Sequence, residues 1–158
     1  MKNFNPRNNG GRFRDSNGNH RDYQHAAPPQ SPESIWSEAG YQSKWVKESI
    51  DSTFPDFAEN IGKYMAVNGL TNSKIRSIYG EMKRIQMGDY EKEKASFYLL
   101  RPKVAYALGR DPKNRGLLLF KLLFDYCSKD VTGKKSFLNF CNIFEAVLAY
   151  HKAFGGKD

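Results

Sequence analysis

Two stretches of the sequence place basic side chains two helical turns apart, a spacing that suits contact with a polyanion. In 70–87, LTNSKIRSIYGEMKRIQM, Arg76 and Lys83 are seven residues apart, so they share one row of a helix with a drift of only about 20°. Lys103 and Arg110 repeat the spacing further along. Rows of Lys and Arg bind phosphate without reading base sequence, so the predicted chemistry is contact with nucleic-acid backbone. A solvated helix face is the alternative for either row.

One acid interrupts the first basic stretch, and one proline interrupts the second. Glu81 is the sole acid in 70–87, so the outer face of this helix is expected to be strongly positive. Pro102 removes a backbone donor and should kink its helix beside Arg101. Two roles remain open for Arg101, namely pairing with a carboxylate at the kink and contacting a ligand.

Helices must position these side chains, because apolar residues recur at three- and four-residue spacing along most of the chain. No segment has an alternating strand pattern of comparable strength. The predicted fold is all-α, a compact bundle of about five helices with short loops. In 70–87 the predicted inner face consists of Ile75, Ile78, Tyr79, Met82 and Ile85.

Turn and capping residues predict where several helices begin and end. A helix that starts near Phe54 should end at Asn68, with Gly69 in the left-handed conformation. Thr71 should then cap the next helix. The segment 117–126, LLLFKLLFDY, is apolar almost all round, which predicts a position in the middle of the bundle.

Composition divides the chain into two parts. Residues 1–31 are rich in Asn, Gly, Pro and Arg with few aliphatic side chains, so they are predicted to form a disordered basic tail. Its interleaved aromatic residues suit either weak contact with single-stranded nucleic acid or a merely solubilising segment. Residues 32–158 are long enough for a single helical-bundle domain, although Gly40 interrupts the first helical pattern.

The net charge of +8 favours an acidic partner, either nucleic acid or an anionic membrane surface. No run approaches the roughly 18 apolar residues that cross a bilayer, and the first residues lack the apolar stretch of a signal peptide. The predicted location is the cytoplasm. Cys127 and Cys141 lie in apolar helical patterns, which suits reduced core thiols.

Sequence signatures of catalysis are missing. There is no nucleophile with a base, no metal-ligand cluster, no paired carboxylates and no Gly-rich phosphate loop. His151 stands alone, and a lone histidine is usually a surface or core residue. We therefore predict that the protein is not an enzyme and uses no metal or other cofactor.

Three segments, in order, resemble the small subunit of the type III-A CRISPR Csm effector complex. They are LTNSKIRSIYGEMKRIQ at 70–86, LLRPKVAYALGRD at 99–111 and FEAVLAYHKAFGG at 144–156. The resemblance covers about Ile61 to Gly156 and implies a non-catalytic RNA-binding helical subunit that acts in antiviral defence. It also implies self-association in several copies along a filament, beside the backbone and large subunits, around guide RNA and target RNA. No membrane partner is implied.

Carried over residue by residue, the resemblance implies RNA contact by the basic positions inside its first two segments. A second hypothesis is a helical structural adaptor whose basic faces dock acidic protein partners without touching RNA. Nothing carries over to the extension from Met1 to about Gln42. The candidate RNA-binding residues are Arg76, Lys83, Arg84, Arg101, Lys103 and Arg110.

Overall fold

The computed structural model of the chain describes residues 29–158, where all regular structure is helical. The predicted all-α class is confirmed, but the predicted number of about five helices is too low. In this range no strand forms, and one isolated parallel bridge joins Thr71 to Lys157. Most of the predicted tail, 1–31, lies outside the described residues. Residues 29–158 form seven helices, in chain order: α1 Pro32–Ala39, α2 Lys44–Lys47, α3 Phe54–Val67, α4 Asn72–Met87, α5 Tyr90–Arg110, α6 Arg115–Lys129 and α7 Lys134–Ala153.

Two short helices, α1 and α2, replace the single weak helical pattern at the start of the described residues. The hydroxyl of Ser31 caps α1 by accepting a hydrogen bond from Ser34 N at 3.1 Å. Gly40 then ends α1 in the left-handed conformation, with φ 72°. The four-residue α2 is held on α7 because Asn139 Nδ2 donates to Val46 O at 3.0 Å. Tertiary contacts of this kind stabilise helices that are too short for periodicity to predict.

Helices α3 and α7 pack with their backbones almost in contact. A Cβ atom at Gly62 of α3 would lie 2.6 Å from Val147 O and 2.8 Å from His151 N. Only glycine permits this approach, because real Cβ atoms do not come that close to backbone atoms. Around the contact, α3 buries the apolar side chains of Phe54, Phe57, Ala58, Ile61 and Met65.

Helix α6 lies in the middle of the bundle, as its apolar sequence predicts, and contacts α1, α3 and α5. Phe120 meets Phe144 of α7 edge-on at 5.5 Å between ring centroids, and Phe124 meets Phe140 in the same way at 5.5 Å. Such T-shaped pairs are favoured by the ring quadrupoles. Even so, none of the helices in residues 29–158 is long and apolar enough to cross a membrane.

Cys127 and Cys141 are free and buried. Burial raises the pKa of the Cys141 thiol to about 12, and burial is also the main cause that raises the pKa of Cys127. Thiols that stay protonated are poor nucleophiles. Both cysteines are core residues, as predicted.

In the turn between α3 and α4, the end of α3 follows the predicted capping pattern, but the start of α4 does not. Gly69 has φ 92°, and Leu70 N donates to Met65 O at 3.1 Å, as in a Schellman turn. Thr71 occupies the N-cap position of α4, but it makes no capping hydrogen bond to the backbone. Its hydroxyl lies 3.1 Å from Ser73 Oγ instead. The prediction that the Thr71 side chain caps α4 is therefore wrong.

Residues 155–158, here named the C-terminal strap, fold back onto the start of α4. Asn72 N donates to Lys157 O at 2.9 Å, and Asn72 Nδ2 donates to Asp158 Oδ1 at 2.9 Å. The bond from Asn72 is the largest cause of a lowered pKa at Asp158. This carboxylate lies beside the first turn of α4, where the helix dipole favours negative charge. The strap therefore ties the end of α7 to the start of α4.

Helix α5 passes through Pro102 without interruption. The side chain of Asp89 caps its first turn by accepting a hydrogen bond from Glu91 N at 3.0 Å. On the outer side of α5, Tyr98 is 62% exposed and Leu99 is 59% exposed. This helix therefore presents apolar side chains to solvent as well as to the core.

The contact at Gly62 predicts opposite effects for two Gly→Ala substitutions. Gly62→Ala should destabilise the fold by about 1 to 3 kcal/mol, because the methyl group meets backbone atoms of α7 and overpacks the core. Gly80→Ala on α4, where the added Cβ meets no atom within 4 Å apart from the adjacent residues and the helix's own backbone, should stabilise by about 0.5 to 1 kcal/mol through helix propensity. Urea denaturation of both variants measures the difference. Equal midpoints for the two variants would contradict the close approach of α3 and α7.

Candidate nucleic-acid interface

A groove of about 770 Å³ runs between the outer sides of α4 and α5. We name it the α4–α5 groove. Its lining combines the apolar residues Ile78, Pro102 and Ala107 with the hydroxyls of Ser73 and Ser77. Concave sites that mix apolar lining with a few polar groups are typical of ligand-binding sites.

Two of the six predicted RNA contacts line this groove from the α5 side. Lys103 and Arg110 are both exposed, and neither forms an ion pair with a carboxylate of residues 29–158. The guanidinium of Arg110 lies over the ring of Tyr106, 5.9 Å from its centroid. The ring of Tyr106 is itself 67% exposed. The groove therefore presents two cations and one aromatic ring to solvent.

A third cation of the groove is neutralised locally. Lys74 Nζ of α4 lies 2.8 Å from Asp111 Oδ2. The hydrogen bond from Lys74 is the largest cause of a lowered pKa at Asp111, and the one from Asn114 is the next. Asp111 is therefore charged at neutral pH, but Lys74 offsets its repulsion toward a phosphate.

Arg76 lies on the other side of α4. It lines a second groove, of about 510 Å³, together with Tyr79 of α4 and Glu145 of α7. Arg76 is exposed, and its charge is a minor cause of the lowered pKa of Asp158, after the hydrogen bond from Asn72. Arg76 is thus available to an anion, but not at the same groove as Lys103 and Arg110.

Lys83 is engaged by α7. Its Nζ lies 3.0 Å from Glu145 Oε1 and also donates to Gln86 Oε1 at 3.2 Å. The hydrogen bond to Glu145 is the largest cause of a raised pKa at Lys83. The ammonium group also lies over the ring of Tyr79, 5.7 Å from its centroid. Tyr79, predicted as an inner-face residue, is only half-buried because it lines this side groove.

Arg84 is held by two acids at once. Its guanidinium donates to Glu81 Oε1 at 2.7 Å and to Glu93 Oε1 and Oε2 at 3.0 Å each. These bonds are the largest cause of the lowered pKa values of Glu81 and Glu93. Charge-assisted fork geometry of this kind is the strongest type of side-chain hydrogen bond. Arg84 therefore joins α4 to α5 rather than projecting freely.

Arg101 pairs with a carboxylate of α6, with its Nε 3.7 Å from Asp125 Oδ1. Lys121 also contacts Asp125. Of the two roles left open for Arg101, the geometry therefore favours pairing with a carboxylate. Because Arg101 remains largely exposed, it is still accessible to an anion.

The six candidates do not form one surface. Arg76 and Lys83 face α7, whereas Lys103 and Arg110 face the α4–α5 groove. The spacing of the cations was visible in the sequence, but most of their partners were not, because Glu93, Glu145 and Asp125 come from other helices. Glu81 is the exception, since its position three residues before Arg84 is a local signal.

Residues 29–158 contain no group of three His, Cys, Asp or Glu side chains that could hold a metal ion. His151 is fully buried, and its Nε2 donates to Leu70 O at 2.8 Å. The geometry makes His151 a core residue that links α7 to the turn before α4. Neither observation points to a reaction centre in this part of the chain.

A sequence model of the protein family described as Csm2 Type III-A matches residues 48–157. The chain belongs to this family. Members of the Csm2 family are small subunits of the type III-A Csm complex, and the family is structural and generally non-catalytic. Family membership implies association with other Csm subunits. The chain matches no curated protein and no solved structure.

The Csm2 match extends beyond the segment that carried the resemblance. It begins at residue 48, so it includes all of α3 and starts just after α2, which ends at Lys47. The family region thus contains α3 to α7 and both grooves that flank α4. Helices α1 and α2 pack on this region from outside the match, against α3, α6 and α7.

The ion pairs of Arg84 predict a pH-dependent contribution to stability. At pH values above 4.5, the ordinary pKa of glutamate, Arg84→Gln should lower the Tm. At these pH values Glu81 and Glu93 are charged, and in the variant both lose their cationic partner. As the pH falls through their lowered folded-state pKa values, both acids become protonated and the wild type loses this advantage. The Tm difference should therefore shrink below pH 4.5 and vanish at lower pH.

Thermal unfolding followed by circular dichroism across the pH range measures this difference. Arg110→Gln is a suitable control, because Arg110 has no carboxylate partner among residues 29–158. Its Tm difference from the wild type should not depend on pH in the same window. A constant Tm difference for Arg84→Gln would mean that the fork with Glu81 and Glu93 does not form in solution.

Proposed function

We propose that this Csm2 family chain binds the backbone of guide or target RNA within the type III-A Csm complex, and that several copies stack along the filament in antiviral defence. The observation that carries the proposal is the α4–α5 groove, where Lys103 and Arg110 remain without carboxylate partners in the described chain. Two unpaired cations beside a groove are the feature that distinguishes this surface from an ordinary solvated helix face.

The spacing of the two cations suits a strand that follows α5. Seven residues of helix rise about 10.5 Å, so Lys103 and Arg110 can contact separate phosphates of one strand. Both side chains are on a helix held between α4 and α6, which limits the freedom lost on binding. A subunit that serves any guide sequence needs this type of backbone contact rather than base-specific contacts.

The paired cations are secondary contacts in this proposal. Exposed ion pairs typically contribute about 0 to 1 kcal/mol, so Lys83 and Arg101 can exchange a carboxylate for a phosphate at small cost. The net gain from that exchange is correspondingly small. Arg84 has two carboxylates to lose and is the least available of the six. The proposed order of importance therefore places Lys103, Arg110 and Arg76 first.

A helical adaptor that docks protein neighbours is the second candidate function. It is favoured by the exposed apolar side chains of Tyr98 and Leu99 on the outer side of α5. Large apolar side chains grouped on one face often mark a protein interface. In this alternative the basic residues contact acidic protein partners, and RNA affinity does not depend on them.

Charge reversal at the groove tests which function holds. Lys103→Glu combined with Arg110→Glu should weaken binding to single-stranded RNA and lower the magnitude of the log-affinity against log-salt slope by roughly 0.7 to 0.9 per lost phosphate contact. Stability should change by only about 0.5 kcal/mol or less per site, because both side chains are exposed. Filter binding across a salt series, with denaturation of the same samples, gives both quantities.

A matched control uses Lys134→Glu combined with Lys135→Glu at the start of α7. Both lysines are exposed, and the change in net charge is identical. This pair should leave most of the salt slope intact, because it lies away from the α4–α5 groove. If both double variants weaken RNA binding equally, net charge alone determines the affinity and the groove has no special role. If neither changes RNA affinity, in the isolated subunit or the assembled complex, the adaptor function is favoured.

A further inference from the structure

We infer that the α4–α5 groove holds an unpaired nucleotide, with its base stacked on the ring of Tyr106 and its flanking phosphates on Lys103 and Arg110. The inference rests on the proposed function and deepens it, because phosphate contact alone does not distinguish paired from unpaired RNA. It assigns to one side chain, Tyr106, a role in contact with the base.

The first argument is the exposure of Tyr106. Its ring is 67% exposed, whereas the aromatic residues of the core are buried. Exposure makes the ring accessible to a ligand, but Tyr98 on the same helix is 62% exposed, so the position of Tyr106 between two cations is what distinguishes it. The ring lies one helical turn from both Lys103 and Arg110, so a strand that contacts the two cations can pass over it.

The second argument is the composition of the groove. An exposed aromatic ring flanked by cations is the arrangement that proteins use to bind single-stranded nucleic acid, where bases stack on the ring and phosphates follow the charges. The Arg110 guanidinium, 5.9 Å from the Tyr106 centroid, adds a second planar surface at the same place. The apolar side chains of Pro102 and Ala107 line the groove and are exposed and partly exposed, so they suit the face of a base better than a phosphate.

The third argument separates unpaired from paired RNA. In an A-form duplex, each base is stacked on its neighbours and its face is not available to a side chain. A duplex that lies on Lys103 and Arg110 would leave Tyr106 against sugar and phosphate, where an aromatic ring gains little. Only an unstacked base can use the ring.

The test compares two probes with the same number of phosphates, a 12-nucleotide oligouridylate and the same strand without bases. The full-length wild type should bind the strand with bases at least about fivefold more tightly, since stacking on an aromatic ring contributes about 1 to 3 kcal/mol per base. Tyr106→Ala should remove this preference, and Tyr106→Phe should keep it. Lys103→Glu should weaken both probes by the same factor.

Tyr98→Ala is the matched control. Tyr98 is also exposed, at 62%, on the same helix, but it does not line the α4–α5 groove. It should keep the wild-type preference for the strand with bases. Because both tyrosines are largely exposed, neither substitution should prevent folding.

Three outcomes would overturn the inference. If Tyr106→Ala keeps the wild-type preference while Lys103→Glu still weakens binding, the groove holds backbone alone and the proposed function survives. If Tyr106→Ala keeps the preference but prevents assembly with other Csm subunits, the ring contacts protein. If the wild type binds neither probe, the proposed function and the inference both fail.

Discussion

The bundle depends on the near-contact of two backbones at Gly62, where α3 meets α7. That contact lets the apolar faces of both helices interdigitate around the aromatic side chains of α6. Helix α4 is then fixed from two directions, by α7 along its side and by the C-terminal strap at Asn72. Helix α5 in turn packs on α4 and α6. The grooves on either side of α4 are therefore positioned by a contact that neither groove contains.

The distribution of positive charge on α4 and α5 depends on where acidic side chains lie, not only on the net charge of the chain. The chain carries a net charge of +8, yet acids from neighbouring helices engage Lys83, Arg84 and Arg101. Their pairing leaves Lys103 and Arg110 at the α4–α5 groove, and Arg76 on the other side of α4, as cations that form no ion pair with a carboxylate of residues 29–158. A uniformly positive face would attract any polyanion equally, whereas this pattern gives the attraction a preferred place.

Sequence patterns predicted the helical class, most of the inner face of α4, the central position of α6 and the left-handed Gly69, because these depend on local periodicity and backbone sterics. They did not predict α2, which is stabilised by contacts with α7, or the hydrogen bonds that the C-terminal strap makes with Asn72 at the start of α4. The spacing of the basic residues was also local information. Their division between two sides of α4, and the pairing of Lys83 with Glu145, required the packing of distant segments.

The dependence of α3 on α7 has a consequence for synthesis of the chain. A ribosome that adds roughly 5 to 20 residues per second needs about 3 to 13 s to pass from Val67 to Lys134. During that interval the apolar face of α3 has no α7 to cover it, and the partial cover from α6 arrives only towards the end. A nascent chain stalled before α7 should therefore leave the part of α3 that packs on α7 exposed, even though α1, which precedes α3, already packs on α3.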